Sequence, residues 1–230
     1  DGTPTVPGVA YDGYLSDCSL VVGGLPRGDG TFDKVDGFAS TVRGGHWGVP
    51  ASVLAAHPGS AAYIIPAARD GKFGRVAGPD TDAGFCLDRA TLLPAFNPLA
   101  TPLPASAEAV ATGVAAASPL STVLVFGAAS GLTGETLKAA LSLPDAIDIP
   151  AYDALAAVRA GGAGAADALA VLRANAQVAN TVTVGAGLLS GDSAAYAAVA
   201  VSVYQAIAEA AAGRQVAAAA AVAPAAPAPA

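Results

Sequence analysis

The stretch covering residues 118–212 constrains the fold most, because it is poor in charge and rich in Ala, Leu and Val. Helix start and stop signals divide it. Ser118 followed by Pro119 has the N-cap and N1 form, in which proline's missing N–H costs nothing. Asp153 precedes a second candidate helix, which the Gly161-Gly162 pair ends. These signals predict a mainly helical region.

Two long helices are expected at the end of this region. Apolar residues recur at steps of three and four from Ala165 to Leu189, and again after Ser193. This spacing places them on one face of a helix. The Ser190-Gly191 pair separates the two runs, and Asp192 or Ser193 can cap the second. We therefore predict an αα-hairpin that shorter helices complete into a small bundle.

The N-terminal half carries short strand-like runs instead. Residues 11–24 alternate in polarity, and shorter runs cover 46–49, 62–65, 73–76 and 84–87. Gly, Pro and Asp turns separate these runs, a spacing typical of an antiparallel sandwich or small barrel. The sequence therefore predicts the α+β class, with an N-terminal antiparallel β-sandwich followed by an Ala-rich helical bundle and a Pro/Ala tail.

Composition suggests four segments. Residues 1–10 are expected to form a linker, 11–104 a β-sandwich domain, 105–213 a helical domain and 214–230 an Ala/Pro-rich tail. Residues 92–104 contain four prolines, so we expect a connector there and no helix. The tail ends in prolines spaced by alanine, a pattern that favours polyproline II.

Charge restricts the partners. Charged residues make up 13% of the chain and the formal net charge is −7. An acidic chain is a poor match for nucleic acid, which binds basic faces. We found no strongly apolar run of the length that spans a bilayer, so no membrane span is predicted. Neutral, small-sided surfaces are expected where a protein packs against like neighbours.

Cys18 and Cys86 are the only cysteines, and both fall in the β-like half. Two residues cannot form a zinc site alone, and neither has a CxxC partner. In a secreted protein we expect one disulfide that closes this half. The alternative is a pair of buried free thiols in a cytosolic protein.

Six short motifs carry a resemblance to a known family. In order they are YDGYLSDCSLVV, GDGTFD, GGHWGVP, ASPLSTVLV, IDIPAYDALAAVRAG and LRANAQVANTV. The chain resembles, over residues 11–212, a module of secreted, repeat-built surface proteins of bacteria and green algae. The resemblance implies a carboxypeptidase-regulatory-like or Sdr B-type β-sandwich followed by a helical segment.

The Ala/Pro tail adds to this resemblance. With the module, it looks most like a subunit of an algal surface filament of the mastigoneme glycoprotein type, and a bacterial adhesin or surface-layer module is the other option. The chain has no N-x-[ST] sequon, so glycans would be O-linked, with Pro224, Pro227 and Pro229 as candidate sites after modification.

Related modules often carry a calcium loop where this chain reads RGDGTFDKVDG. Asp29, Asp33 and Asp36 supply hard oxygen ligands of the kind that Ca²⁺ prefers. Their spacing departs from the EF-hand pattern, Lys34 intrudes and no Glu closes the loop. The alternative is a set of ordinary Asp/Gly turns, and no other cofactor is expected.

Catalytic motifs were not found. The chain lacks a GxSxG nucleophile elbow and a GxxxxGK[ST] phosphate loop, and we predict that it is not an enzyme. Trp47, Tyr63 and Phe73 can form either a sugar-stacking surface or part of the core, and we expect core.

The expected function is therefore structural. We predict a subunit or repeat of an extracellular filament or surface layer, on a cell or flagellar surface, that packs with like modules. The alternative is a carbohydrate- or ice-binding adhesin module that uses the sandwich face carrying Trp47.

Overall fold

The computed structural model describes residues 5–27, 30–38, 40–65, 76–77, 86–93, 95–104, 114–190 and 193–222. The fold is mixed α+β, with about 47% helix and 24% strand, which confirms the predicted class. The strands are β1 (Thr5–Ala10), β2 (Leu15–Ser16), β3 (Cys18–Gly23), β4 (Phe32–Asp33), β5 (Ser40–Val42), β6 (His46–Pro50), β7 (Ala61–Ile65), β8 (Val76–Ala77), β9 (Leu87–Asp88), β10 (Leu99–Pro102) and β11 (Ala115–Ala117).

The helices lie mainly in the second half. They are α1 (Ala51–Ala56), α2 (Pro119–Gly127), α3 (Gly134–Leu141), α4 (Ala154–Ala160), α5 (Ala165–Leu189) and α6 (Ser193–Val222), with single 3₁₀ turns at Ala128–Ser130 and Ile149–Ala151. Ser118 and Asp153 cap α2 and α4 through their side chains, as the sequence predicted.

The described strands form two larger sheets, with strand orders β11-β1-β6 and β10-β7-β3-β5, and two small sheets that pair β2 with β9 and β4 with β8. Single bridges link the two larger sheets at both edges. Ala100 pairs with Ser118 where β10 meets β11, and Arg43 pairs with His46 across the β5–β6 turn. Buried side chains from both larger sheets, including Val6 and Val49 of one and Leu20 and Ile64 of the other, belong to one apolar cluster.

Both faces of the four-stranded sheet are buried. Leu20 and Ile64 point into the interior shared with the three-stranded sheet, while Val21 and Tyr63 point into a second cluster shared with the helices. A strand buried on both faces is apolar throughout, which explains the uninterrupted run in β7. The helices therefore cover the outer face of this sheet.

The prediction of a linker at residues 1–10 is wrong for residues 5–10. Thr5–Ala10 is the central strand of the three-stranded sheet. Pro7 is tolerated there because pairing with β11 begins only at Gly8, so β6 alone lies beside the proline. This sheet is also not purely antiparallel, because β11 returns after a long connection and pairs with β1 in parallel.

Two further expectations need correction. The predicted connector at 92–104 contains strand β10, an edge strand whose proline stands at its end. The predicted tail at 214–230 is helical up to Val222, where α6 ends. Alanine is the strongest helix former and the first tail proline is Pro224, so nothing stops the helix earlier.

Candidate interaction surface

The αα-hairpin formed by α5 and α6 is closely packed. Val178, Val182 and Ala186 are buried on α5, and Ala200 and Tyr204 are buried on α6. A methyl group added at Gly185 would lie 3.1 Å from Val203 Cγ2, which shows that the two helices touch at this glycine. Small residues therefore set the spacing of the hairpin.

The hairpin is almost free of charge. Between Arg173 and Glu209 the sequence holds one charged residue, Asp192. The exposed positions of α5 in this span include Asn180, Thr181 and several apolar residues. Solvent-facing helix surfaces normally carry Lys and Glu, so an uncharged one is unusual for a face that meets only water.

Large apolar side chains stand exposed at one end of the hairpin. Leu188 is 78% exposed and Leu189 is 73% exposed, although both lie in the last turn of a long helix. Leu92, Leu93 and Phe96, which precede Asn97 in the chain, add three more. The six side chains that we call the apolar hairpin end are all more than half exposed: Leu92, Leu93, Phe96, Val184, Leu188 and Leu189.

Asn97 forms hydrogen bonds with both helices. Its Nδ2 donates to Thr183 Oγ1 of α5 at 2.9 Å and to the Ala179 carbonyl at 3.4 Å. The Tyr196 hydroxyl of α6 donates to Asn97 Oδ1 at 2.8 Å. The Phe96 ring lies edge-on to Tyr196, with centroids 6.0 Å apart. Phe96 is therefore placed beside the exposed part of α5 that begins at Val184.

Asn175 fixes the rotation of α5. Its side chain is buried, Oδ1 accepts the Leu120 N–H at 3.0 Å, and Nδ2 donates to the Val171 carbonyl at 3.1 Å. Val184 follows nine residues later, which at 3.6 residues per turn is a rotation of roughly 180° from Asn175. Because the Asn175 side chain points into the core, Val184 on the opposite side of α5 faces solvent. Leu188, one turn further along the helix, also faces solvent.

Hydroxyl groups of α2 close the free edge of β10. Ser121 Oγ donates to the Ala100 carbonyl at 2.6 Å, and the Ala100 N–H donates to Thr122 Oγ1 at 2.9 Å. Ser118 forms a capping box with Ser121 at the same helix start. An edge strand with satisfied backbone groups does not recruit another strand. Both backbone groups of Ala100 are therefore unavailable to an added strand.

Two tyrosines tie the β part to the helices. The Tyr11 hydroxyl donates to the Tyr152 carbonyl at 2.8 Å, and the Tyr14 hydroxyl donates to Asp153 Oδ2 at 2.9 Å. The Arg159 guanidinium lies 5.0 Å from the Tyr14 ring centroid. Burial, followed by the Asp153 carboxylate, raises the pKa of Tyr14 to about 12. These contacts join the β part to α4 and to the residues just before it.

A second surface feature is an open cleft of about 540 Å³ between the start of α3 and the 145–149 segment. Glu135, Lys138, Asp145 and Asp148 line it, and Lys138 Nζ donates to the Asp145 carbonyl at 2.6 Å. Across the part of the chain that the structure describes, no three His, Cys, Asp or Glu residues are grouped so as to hold a metal ion. The described lining of the cleft therefore combines charged side chains with apolar ones such as Ile147 and Ile149.

The predicted site residues have mixed outcomes. The Cys18–Cys86 disulfide is present and buried, as predicted. Asp33 is exposed and pairs with Arg27, and Asp36 is exposed. Asp29 lies outside the described residues, so the calcium site stays a prediction.

Other predicted positions fall into two groups. Trp47 and Tyr63 are buried, as expected for core residues. Phe73 lies outside the described residues, as do Pro224, Pro227 and Pro229, so glycosylation of these prolines stays a prediction.

Membrane crossing was tested by helix length and composition. Among the described helices, Ala195–Gly213 of α6 passes this test, and the bent pair Pro119–Ser130 with Gly134–Leu141 passes if it counts as one span. Core helices pass the same test. In α6, Tyr204 is fully buried and its ring lies 6.2 Å from Phe126 of α2.

Sequence reasoning missed the apolar hairpin end. It assigned Leu189 to the buried stripe, although this residue is exposed. Leu188-Leu189 beside a long uncharged run was the available signal. The role of Asn97 had no signal, because its partner Thr183 lies 86 residues away.

Comparison with known proteins gave no relative. A scan against protein-family models, a search of curated proteins and a search of solved structures each returned no match to this chain. The resemblance to a surface-protein module therefore rests on the sequence motifs alone.

Proposed function

We propose that this chain is a structural subunit or repeat of an extracellular filament or surface layer, and that it assembles by packing with like modules. The observation that carries the proposal is the apolar hairpin end, where Leu188 and Leu189 stand exposed on an uncharged hairpin. Contiguous exposed apolar side chains mark interaction surfaces in proteins.

The disulfide supports the extracellular part of the proposal. Disulfides persist in oxidising compartments, and Cys18–Cys86 closes a large part of the β region. The proposal also includes the finer architecture, a β-sandwich followed by a helical bundle. Its support is the pair of buried clusters, one shared by the two sheets and one shared by the sheet and helices.

The alternative, a carbohydrate- or ice-binding adhesin module, has less support. It depended on an exposed aromatic face carrying Trp47, and the Trp47 side chain is buried against Gly8 in the β interior. Stacking on a sugar requires an accessible ring face. The resemblance, the calcium loop and the O-linked glycans remain part of the structural proposal.

Electron microscopy of the native material tests the proposal. Repeating filaments or layers whose repeat accommodates this fold are the expected result. Dispersed single particles in native material, with no larger assembly at any concentration, would overturn the structural function and make ligand screening the next step.

A further inference from the structure

We propose that a second copy of this chain docks on the apolar hairpin end, and that both copies use this same surface about a two-fold axis. The inference rests on the proposed function and names the surface through which like modules meet. It assigns the contact to the exposed side chains of α5 and of the 92–96 connection, centred on Val184 and Leu188.

The exposed area is close to what a dimer needs. A large apolar side chain removes roughly 100 Å² of apolar surface from water when it is buried. The six residues of the apolar hairpin end, all more than half exposed, thus offer on the order of 600 Å². Stable interfaces bury about 800 Å² per partner, and surrounding small residues of the hairpin can supply the difference.

Charge favours a second copy at this face. Each copy has a formal net charge of −7, so two copies repel each other on most approaches. Electrostatic repulsion between two copies is weakest at the surface of the hairpin, because Asp192 is the one charged residue between Arg173 and Glu209. A partner recognised through ion pairs would require charged groups, which this face of the hairpin lacks.

The hairpin geometry suits a symmetric contact. In a contact through Val184 and Leu188, helix α5 of one copy packs against α5 of the other, because both residues lie on that helix. In a two-fold contact the same patch appears on both subunits, so Leu188 approaches the region of its own counterpart. The contact closes on itself, so a filament would require one more interface elsewhere on the module.

A mass measurement on the full chain tests the docking surface. We compare the wild type with a Leu188→Gln/Leu189→Gln variant, which keeps good helix formers at both positions. The matched control is Leu169→Gln, a leucine that is 43% exposed on the same helix. Four leucines are lost per dimer, so we expect dimerisation to weaken by about 100-fold or more in the double variant and to be unchanged in the control.

The outcomes separate the inference from the proposed function. A wild type that assembles while the double variant does so equally well overturns the docking surface and leaves the structural function standing. A wild type that is monomeric at every concentration overturns both. Leucine-dependent flotation of a monomeric wild type with phosphatidylcholine vesicles would also overturn the inference, because lipid would then be the occupant.

Cross-linking tests the two-fold arrangement. Both native cysteines are in the disulfide, so a Leu188→Cys thiol is the only one that reacts. A short bis-maleimide should link two Leu188→Cys copies covalently. Position 169 lies roughly 28 Å away along the helix, so two Leu169→Cys copies should not be linked covalently although they still associate. Equal linkage of the two variants would contradict a two-fold contact at Leu188. Unchanged thermal unfolding of both variants shows that they are folded.

Discussion

Asn175 and Leu120 join α5 to the start of α2, because the Asn175 side-chain oxygen accepts the Leu120 N–H at 3.0 Å inside the core. The bond satisfies a helix N-terminal donor that has no intrahelical partner. Through the rotation of α5, it also sets which residues of the hairpin face solvent.

Replacing Asn175 with Ala should destabilise the protein by about 1–3 kcal/mol, because a buried N–H loses its acceptor. The free energy of unfolding from urea titration measures the change. Asn180→Ala is the control, because Asn180 is exposed on the same helix and its loss should change stability by less than about 0.5 kcal/mol. Equal losses in the two variants would show that the Leu120 contact is unimportant.

Removing the disulfide should cost about 4 kcal/mol, because the bond closes a loop with a sequence separation of 68 and so restricts the unfolded chain. The measurement compares urea unfolding of the wild type with that of a Cys18→Ala/Cys86→Ala variant. Reducing agent should shift the wild-type midpoint and leave the variant unchanged. A wild-type midpoint that ignores reductant would contradict the prediction.

Gly8 lies under the indole ring of Trp47, its partner across β1 and β6. Gly8→Ala should therefore destabilise the protein by about 1–3 kcal/mol, since the added methyl collides with a buried ring that has no free volume to enter. Gly24→Ala is the control, because nothing lies within 4 Å of a methyl group there. The melting temperatures of the two variants test this prediction. An unchanged melting temperature for Gly8→Ala would mean that the Trp47 ring can move to accommodate the methyl group.

Asp12 should make stability depend on pH. Partial desolvation by surrounding protein atoms, and then the Asp88 carboxylate, raise the pKa of Asp12 to about 7 from an ordinary value of 3.8, although the residue as a whole is exposed. Between these values the folded state holds a proton that the unfolded state has released, so stability falls as pH rises through this window and is level above it. The side chain keeps contact with solvent, so we predict the direction and the window alone.

The variant that tests this is Asp12→Asn. As the pH rises from 4 to 8, the melting temperature of Asp12→Asn should fall less than the melting temperature of the wild type. Asp36→Asn, which removes an exposed carboxylate elsewhere, controls for the change in net charge. Parallel pH profiles for Asp12→Asn and the wild type would show that Asp12 does not titrate in this window.

Local signals were readable from the sequence. The caps at Ser118 and Asp153 depend on neighbours within a few residues, and the structure confirms both. The long helix predicted from Ala165 to Leu189 is confirmed as α5. Its predicted buried stripe is wrong at Leu169, Ala176 and Leu189, which are exposed. Strands β6 and β7 were also identifiable from short runs between turn residues, of which β7 is buried throughout and β6 alternates between buried and more exposed positions.

Pairing between strands that are distant in the sequence could not be predicted. Thr5–Ala10 contains Pro and Gly and resembled a linker, yet it is a central strand because β6 and β11 pair on either side of it. The same limit hid the apolar hairpin end. Periodicity places Leu189 with the buried residues, but helix α5 ends there with no neighbour to cover it among the described residues.

Sedimentation equilibrium of the wild-type chain over a wide range of concentration tests the central claim most directly. The monomer has a mass of 22.0 kDa. Assembly through like modules predicts a mass that rises to twice this value or beyond. Docking at the apolar hairpin end predicts that the Leu188→Gln/Leu189→Gln variant assembles more weakly. A wild-type mass that stays at 22.0 kDa at every concentration would contradict the account.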